Sequence, residues 1–340
     1  MSDAVLGVDI GGTRIKWVRW SPASGIVDEG ERETPQSGSQ DVVSAVAALI
    51  RSVPVEAAGV AVPGHLSTDR SAVRLLPNLP GEWSGLRLAE KLSARTGARV
   101  RLVNDARAFA LAELRLGAAR EYDDVLFVTM GTGIGGALAL NGRILHARGD
   151  VVGELGHMIC RSDGLPCGCG AYGCLETVAG GRALVARVRA GGGHAETPQD
   201  VVRAAIDRDG LERTVLAEAG QALGTTLSNV IAYTGVTSIV IGGGVAPAFA
   251  FMRPAVEAQL AGRARLVGPV DLRFAQLGAR AGAIGAALLV TPTSASPTPG
   301  DNRYEHDLDL SGTEDTGRGP AVPGDSHRAG RRPGRAVDRA

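Results

Sequence analysis

Twice along its 340 residues this chain runs an apolar strand into a glycine turn and back out along a second strand. The first instance, AVLGVDI-GGT-RIKWVRW from about Val5 to Trp20, has the apolar and β-branched side chains that suit a strand pair. The second, DVLFVTM-GTGIGG-ALALNGRIL from Asp124, repeats the plan. Such a repeat predicts two diverged copies of one α/β unit. The length exceeds one typical domain, so two lobes with a ligand cleft between them are expected.

The intervening pattern agrees with alternating strands and helices. DVVSAVAALIRSV has helical spacing with Asp41 as a candidate N-cap, and AAGVAVPG follows as a buried strand ending in a turn. RVRLVNDARAFALAELRLG reads as strand, polar break and helix. The stretch 180–233 reads mainly as helix interrupted by GGGHAETP, TSIVIGGGV as a strand entering a third glycine loop, and GAIGAALLV as a last helix.

The 36 basic and 36 acidic residues balance, which gives no footprint for nucleic acid or a membrane surface and favours a small neutral partner. Neither a signal peptide nor a long apolar run is present, so a cytoplasmic protein is expected. Residues 292–340 hold many prolines, few large apolar side chains and a basic end, and are expected to be a disordered, solvated tail.

Gly131, Gly133 and Gly136 satisfy a dinucleotide-binding pattern, yet the loop leads into ALALNGRIL, a strand, where a Rossmann loop must open a helix. No P-loop pattern is present. What remains is a pair of glycine hairpins whose bare backbone lets amide groups approach phosphate oxygens. Either one alone would pass for an ordinary β-turn; their recurrence argues for a shared task. Asp9 before the first turn and Lys16 after it are suited to holding Mg2+ through water and to meeting phosphate charge. The third loop, Gly242, Gly243 and Gly244, would accept the flat face of a base and ribose.

Asp9-Ile-Gly11-Gly12-Thr13, Gly131-Thr132-Gly133-Ile-Gly135-Gly136 and Ile241-Gly-Gly-Gly-Val245 resemble the phosphate-1, phosphate-2 and adenosine segments of the actin-like sugar kinase superfamily. The resemblance implies two ribonuclease-H-like lobes closing over ATP, with the helix near Gly282 returning to the first lobe. The division expected is a small lobe at 1–116, completed by a helix at about 280–291, and a large lobe at 117–279.

Asn104 and Asp105 stand where a hydrophobic strand gives way to a helix. A helix N-terminus would keep the Asp105 carboxylate ionised, and a positioned carboxylate that takes a proton from a hydroxyl accelerates phosphoryl transfer by on the order of 10²- to 10⁴-fold. Asn104 can hydrogen-bond neighbouring hydroxyls. In isolation both residues would be read as helix caps.

All four cysteines lie between Cys160 and Cys174, too clustered for a disulfide framework. His157, Cys167, Cys169 and Cys174 form H-x9-C-x-C-x4-C, which matches a closed, structural zinc site in a loop at 157–174. Cys160 is the surplus thiol, with an all-cysteine set using it in place of His157 as the other chemical possibility. Glu154 and His157, three apart, would share one side of a helical turn, and Glu176 follows the last cysteine.

Together G-E-L-G-H, C-G-C-G-A-Y-G-C-L-E and the DIGGT start resemble the ROK family (repressors, open reading frames and sugar kinases) over about residues 5–290. That resemblance implies zinc on His157, Cys167, Cys169 and Cys174 and a catalytic base at Asp105. Sugar hydroxyls would meet Gly64, Asn78, Asn104, Asp105, Glu154, His157 and Glu176, Gly64 and Asn78 resting on the shorter matches VAVPG and LPNLPG. The implied reaction moves the γ-phosphate of ATP, with Mg2+, to a hexose such as glucose or to an amino-hexose, in a homodimer or homotetramer. The stretches GGALAL and GDVVGELGH depart from the usual family glucokinases, which leaves the sugar open. The family's repressors carry a helix-turn-helix segment first; with a strand expected by Val5, the kinase reading is preferred. A polyphosphate donor would call for a basic track, which the neutral balance does not favour.

Overall fold

The computed structural model describes residues 3–76, 79–146 and 151–292. The tail expected at 292–340 therefore lies, past Pro292, outside the described residues, as does Asn78. In the first half come β1 (Val5–Ile10), β2 (Arg14–Ser21), β3 (Gly25–Glu33), α1 (Ser39–Ser52), β4 (Ala57–Val62), the short pair β5 (His65–Leu66) and β6 (Val73–Leu75), α2 (Leu88–Thr96), β7 (Arg99–Asn104) and α3 (Asp105–Leu116). The second half holds β8 (Val125–Met130), β9 (Ile134–Leu140), β10 (Arg143–Ile144), α4 (Glu176–Ala179), α5 (Gly181–Ala190), α6 (Pro198–Asp207), α7 (Leu211–Thr234), β11 (Ser238–Gly242), α8 (Phe249–Gly262), α9 (Ala264–Val267), β12 (Asp271–Phe274) and α10 (Ala281–Val290).

The two glycine hairpins seed two sheets of the same topology, ordered β3-β2-β1-β4-β7 and β10-β9-β8-β11-β12. In each, the hairpin is antiparallel and the later two strands add in parallel beside its first strand. The duplication expected from sequence is thus real at the level of strand order. β1, β4 and β8 are almost wholly apolar because both of their faces are covered.

Between the sheets lie α3 and α10. Helix α10 packs on β1 and β4, and α3 packs on α10 and on β8 and β9. Glycines permit the close seat: a Cβ on Gly59 would stand 1.7 Å from the Ala286 carbonyl, and one on Gly285 would stand 1.7 Å from that of Ala108. Val5, Val18, Phe109, Phe127 and Ile284 belong to one core that joins both halves, with Phe109 and Phe127 edge to face at 6.3 Å. A second core fills the space under α1 and α2, and a third the space around α7 and α8.

Several elements escaped the sequence reading. The polar IVDEGERE is part of β3, an edge strand whose residues stay mostly in water, so the opening hairpin is a three-stranded meander. β12 is likewise exposed and forms an edge of the second sheet. Asp41 is not the cap of α1; Gly38 holds that position without a side-chain bond, and Asp41 in the first turn instead accepts from the Ser37 hydroxyl.

Candidate active site

The parallel strands β4 and β7 end side by side, with Val62 opposite Asn104. Asn104 caps α3: its side-chain oxygen accepts from Arg107 N at 3.2 Å, and its amide donates to the Gly64 carbonyl at 3.0 Å. The expected sugar contact at Asn104 is therefore also a structural joint, with one amide hydrogen left for a hydroxyl. Gly64 is pinned as well, because a Cβ there would lie 2.1 Å from the Leu75 carbonyl of β6.

Asp105 opens α3 and accepts from Ala106 N at 2.8 Å. The helix terminus was expected to keep it ionised. Instead, burial among protein atoms, reinforced by the nearby Asp9 carboxyl, pushes its carboxyl up to about 7, against the weaker pull of Ala106 N–H. Burial also raises Asp9 to about 6, opposed by Lys16, its partner across the β1–β2 ladder. Two carboxyls and one ammonium thus share the end of the first sheet, where a cation would relieve the repulsion between the carboxyls.

The first glycine turn is closed by Gly11 N to Arg14 O at 2.9 Å. Thr34 and Gln36 donate to the carbonyls of Gly11 and Gly12, tying the turn to the chain that follows β3. The second turn is the hub of the site. Cβ atoms would collide with Gly153 O at Gly136 (2.5 Å), with Thr129 Oγ1 at Gly135 (2.6 Å) and with Glu176 Oε2 at Gly133 (1.8 Å). These three glycines are required by protein neighbours, whereas Gly131 and Gly244 face open space and are the ones suited to a ligand's approach. Thr132 accepts from Arg182 N at 3.0 Å. The third loop joins the hub through Val245 N to Met130 O at 2.8 Å, and Gly243, with φ of +95°, lies against the Met130 backbone. Gln199, not singled out from sequence, donates to Gly244 O at 3.2 Å.

The loop before the cysteines forms one 3-10 turn, Leu155–His157, with Glu154 at its start. His157 Nδ1 lies 3.5 Å from Cys167 Sγ, and Cys169 Sγ lies 3.6 Å from Cys174 Sγ. The four ligand atoms all fall within 4.8 Å of one another. Around a tetrahedral zinc with Zn–S of about 2.3 Å, sulfur atoms would be about 3.8 Å apart, so the donor set fits that ion. Cys160 stands outside the set, its thiol pushed up by burial and directed at Gly173 O. The imidazole's far nitrogen, Nε2, faces Glu154 at 4.0 Å.

Two residues at the site went unnoticed in the sequence. His65, immediately after the VAVPG turn, places Nδ1 3.8 Å from Glu154. Arg107, buried on the first turn of α3, donates to the Val152 carbonyl and so ties the helix that Asp105 opens to the loop that presents Glu154. An arginine two residues after an Asn-Asp cap was the available signal. Among the described residues, no helix is long and apolar enough to cross a membrane.

Two ribonuclease-H-like sheets of equal topology, with glycine hairpins at corresponding ends, define an actin-like ATPase fold. A model of the ROK family matches residues 5–293, and the chain belongs to that family. Glucokinase of Thermotoga maritima is 36% identical over 192 residues, 55% of this chain and 60% of that protein. Glucokinase of Halalkalibacterium halodurans is 32% identical, over 88% of this chain and 99% of that one. An N-acetylmannosamine kinase of Salmonella heidelberg is 30% identical, over 84% and 97%. Among solved structures, a ROK family glucokinase from Streptomyces griseus in complex with glucose and AMPPNP superposes with a TM-score of 0.73 at 30% identity, covering 84% of this chain and 98% of that one.

Proposed function

We propose that this chain is an ATP-dependent hexose kinase in which Asp105 accepts the proton of the hydroxyl that is phosphorylated. The observation that carries the reading is the Asp105 carboxyl held at about 7 beside the second glycine turn, whose Gly135 lies against Ala106. A base that titrates near neutral pH combines a useful ionised fraction with real proton affinity. The lobes are assigned as 1–116 with the helix at about 280–291, and 117–279.

ATP phosphates are assigned to the turns Gly11, Gly12, Thr13 and Gly131, Thr132, Gly133, Gly135 and Gly136, with Lys16 meeting their charge. Gly242, Gly243 and Gly244 receive the adenosine. Mg2+ held near Asp9 would neutralise charge on the transferring phosphoryl group. Gly64, Asn78, Asn104, Glu154, His157 and Glu176 orient the sugar, and zinc on His157, Cys167, Cys169 and Cys174 fixes the loop that presents the last three. Asn104, as the cap of α3, and Arg107, bonded to Val152, fix the helix turn that carries Asp105. Cytoplasmic location and a homodimer or homotetramer complete the proposal.

Glucose, at its 6-hydroxyl, is the first candidate, in line with the two glucokinase relatives. An amino-hexose is the second, in line with the N-acetylmannosamine kinase relative. The test is a coupled ADP assay with ATP, Mg2+ and glucose, N-acetylglucosamine, N-acetylmannosamine and 3-amino-3-deoxyglucose, with polyphosphate as a second donor. Turnover on one or more of these with ATP is expected; none on any would overturn the reading.

A further inference from the structure

Glu176 has a second contact that a purely sugar-binding residue would not need. Its Oε2 accepts from Ile134 N at 3.1 Å, where the second glycine turn passes into β9. The same oxygen lies so close to Gly133 that a Cβ there would stand 1.8 Å away. A carboxylate beside a turn assigned to phosphate is electrostatically unfavourable for a phosphate, so its presence calls for a positional reason.

The turn supplies that reason. It closes on itself by Gly131 N to Gly133 O at 3.0 Å, and its glycines give the free segment wide conformational freedom. Three bonds from the Glu176–Arg182 segment restrict it: Glu176 to Ile134 N, Gly181 N to Gly131 O, and Arg182 N to Thr132 O, the latter two at 3.0 Å. Only the first of these comes from a side chain, and it alone takes up an amide hydrogen of the turn, the other two being accepted by the turn's carbonyls. Ile134 N–H is thereby committed to protein and is not a phosphate donor.

The other end of the strut is anchored in the metal loop. Cys174 precedes Glu176 by two residues, and its carbonyl accepts from both the amide (2.9 Å) and the hydroxyl (2.7 Å) of Thr177. Leu175 N donates to Met158 O at 2.9 Å, next to His157. The cysteine cluster therefore sets where α4 begins, and α4 sets where the carboxylate stands.

We infer that Glu176 is a positioning residue for the nucleotide: it holds the Gly131–Ile134 turn in its phosphate-receiving shape and links that turn to the cysteine loop. The inference rests on the kinase reading for its ligand, but the hydrogen bond it invokes can be tested without one.

The experiment compares Glu176→Ala and Glu176→Gln with the unaltered full chain by AMPPNP titration calorimetry, hexose titration and amide hydrogen exchange at Ile134. Losing a bond from an amide to a charged group should weaken AMPPNP about tenfold or more in Glu176→Ala and speed Ile134 exchange at least as much. Glu176→Gln keeps an acceptor oxygen but gives up the charge, so it should lose clearly less than Glu176→Ala on both readouts, about threefold against about tenfold or more, whatever it does to the hexose. Unchanged AMPPNP affinity in Glu176→Ala, or a Glu176→Gln variant that falls as far as Glu176→Ala, would overturn the inference. If the unaltered chain binds no AMPPNP, the kinase reading fails, and Ile134 exchange in the two variants still decides whether the strut exists.

Discussion

Glu154 and His157 face each other across one 3-10 turn, Oε2 to Nε2 at 4.0 Å, while Nδ1 of the same imidazole points at the Cys167 sulfur 3.5 Å away. One ring therefore lies between the cysteine cluster and Glu154, which is proposed above to meet the sugar. Carboxylate partners of this kind fix the tautomer and raise the basicity of a ligating histidine. Glu154→Ala should weaken both zinc retention and sugar affinity, each by roughly tenfold or more, in a chelator competition and a hexose titration. Loss of sugar affinity with zinc retention unchanged would separate the two roles.

Asp105→Asn should lower kcat by about 10²- to 10⁴-fold while sugar affinity stays within about tenfold. In the unaltered protein kcat/KM should fall as pH drops through about 7, because the base is then protonated. Asp9, at about 6, titrates in the same region, so the acidic limb belongs to the pair. A flat profile between pH 6 and 8 would remove Asp105 from the role.

The same shift has a sign for stability. Folded Asp105 keeps its proton up to about 7, whereas the unfolded chain releases it near 3.8. The folded state binds more protons in that window, so ionisation of Asp105 costs stability as pH rises from about 4 to about 7. Asp105→Asn should melt about 2 °C or more above the unaltered protein at pH 8, with a smaller gap at pH 5.5. Thermal scans at the two pH values check it.

Metal analysis should find one zinc per chain, lost on Cys167→Ser. Because metal binding free energy contributes to folding, that variant should lose thermal stability and hexose affinity together. Absence of zinc from the unaltered protein would leave His157 and the three thiols without this explanation.

Gly59→Ala tests the seat of α10. The added Cβ meets a main-chain carbonyl, which cannot swing aside as a side chain would, so a loss of about 2 kcal/mol or more is expected in denaturant unfolding.

The sequence by itself determined the elements whose chemistry is local. A strand, a glycine turn and a second strand are written in consecutive residues, as are the spacing of His157 and the three cysteines and the Asn-Asp junction of β7 and α3. The edge strands β3 and β12 were illegible because they bury neither face, and without a buried face there is no apolar alternation to read. Only the tertiary structure decided what the glycines are for. Gly133 and Gly136 are small because Glu176 and Gly153 crowd them, and those two neighbours come from other segments of the chain, while Gly135 is crowded by Thr129 across its own hairpin. It also decided the state of Asp105. A helix terminus argues for an ionised carboxylate, but desolvation and the Asp9 carboxyl, brought in from β1, outweigh it. Burial and distant charge are set by packing, which no local pattern encodes.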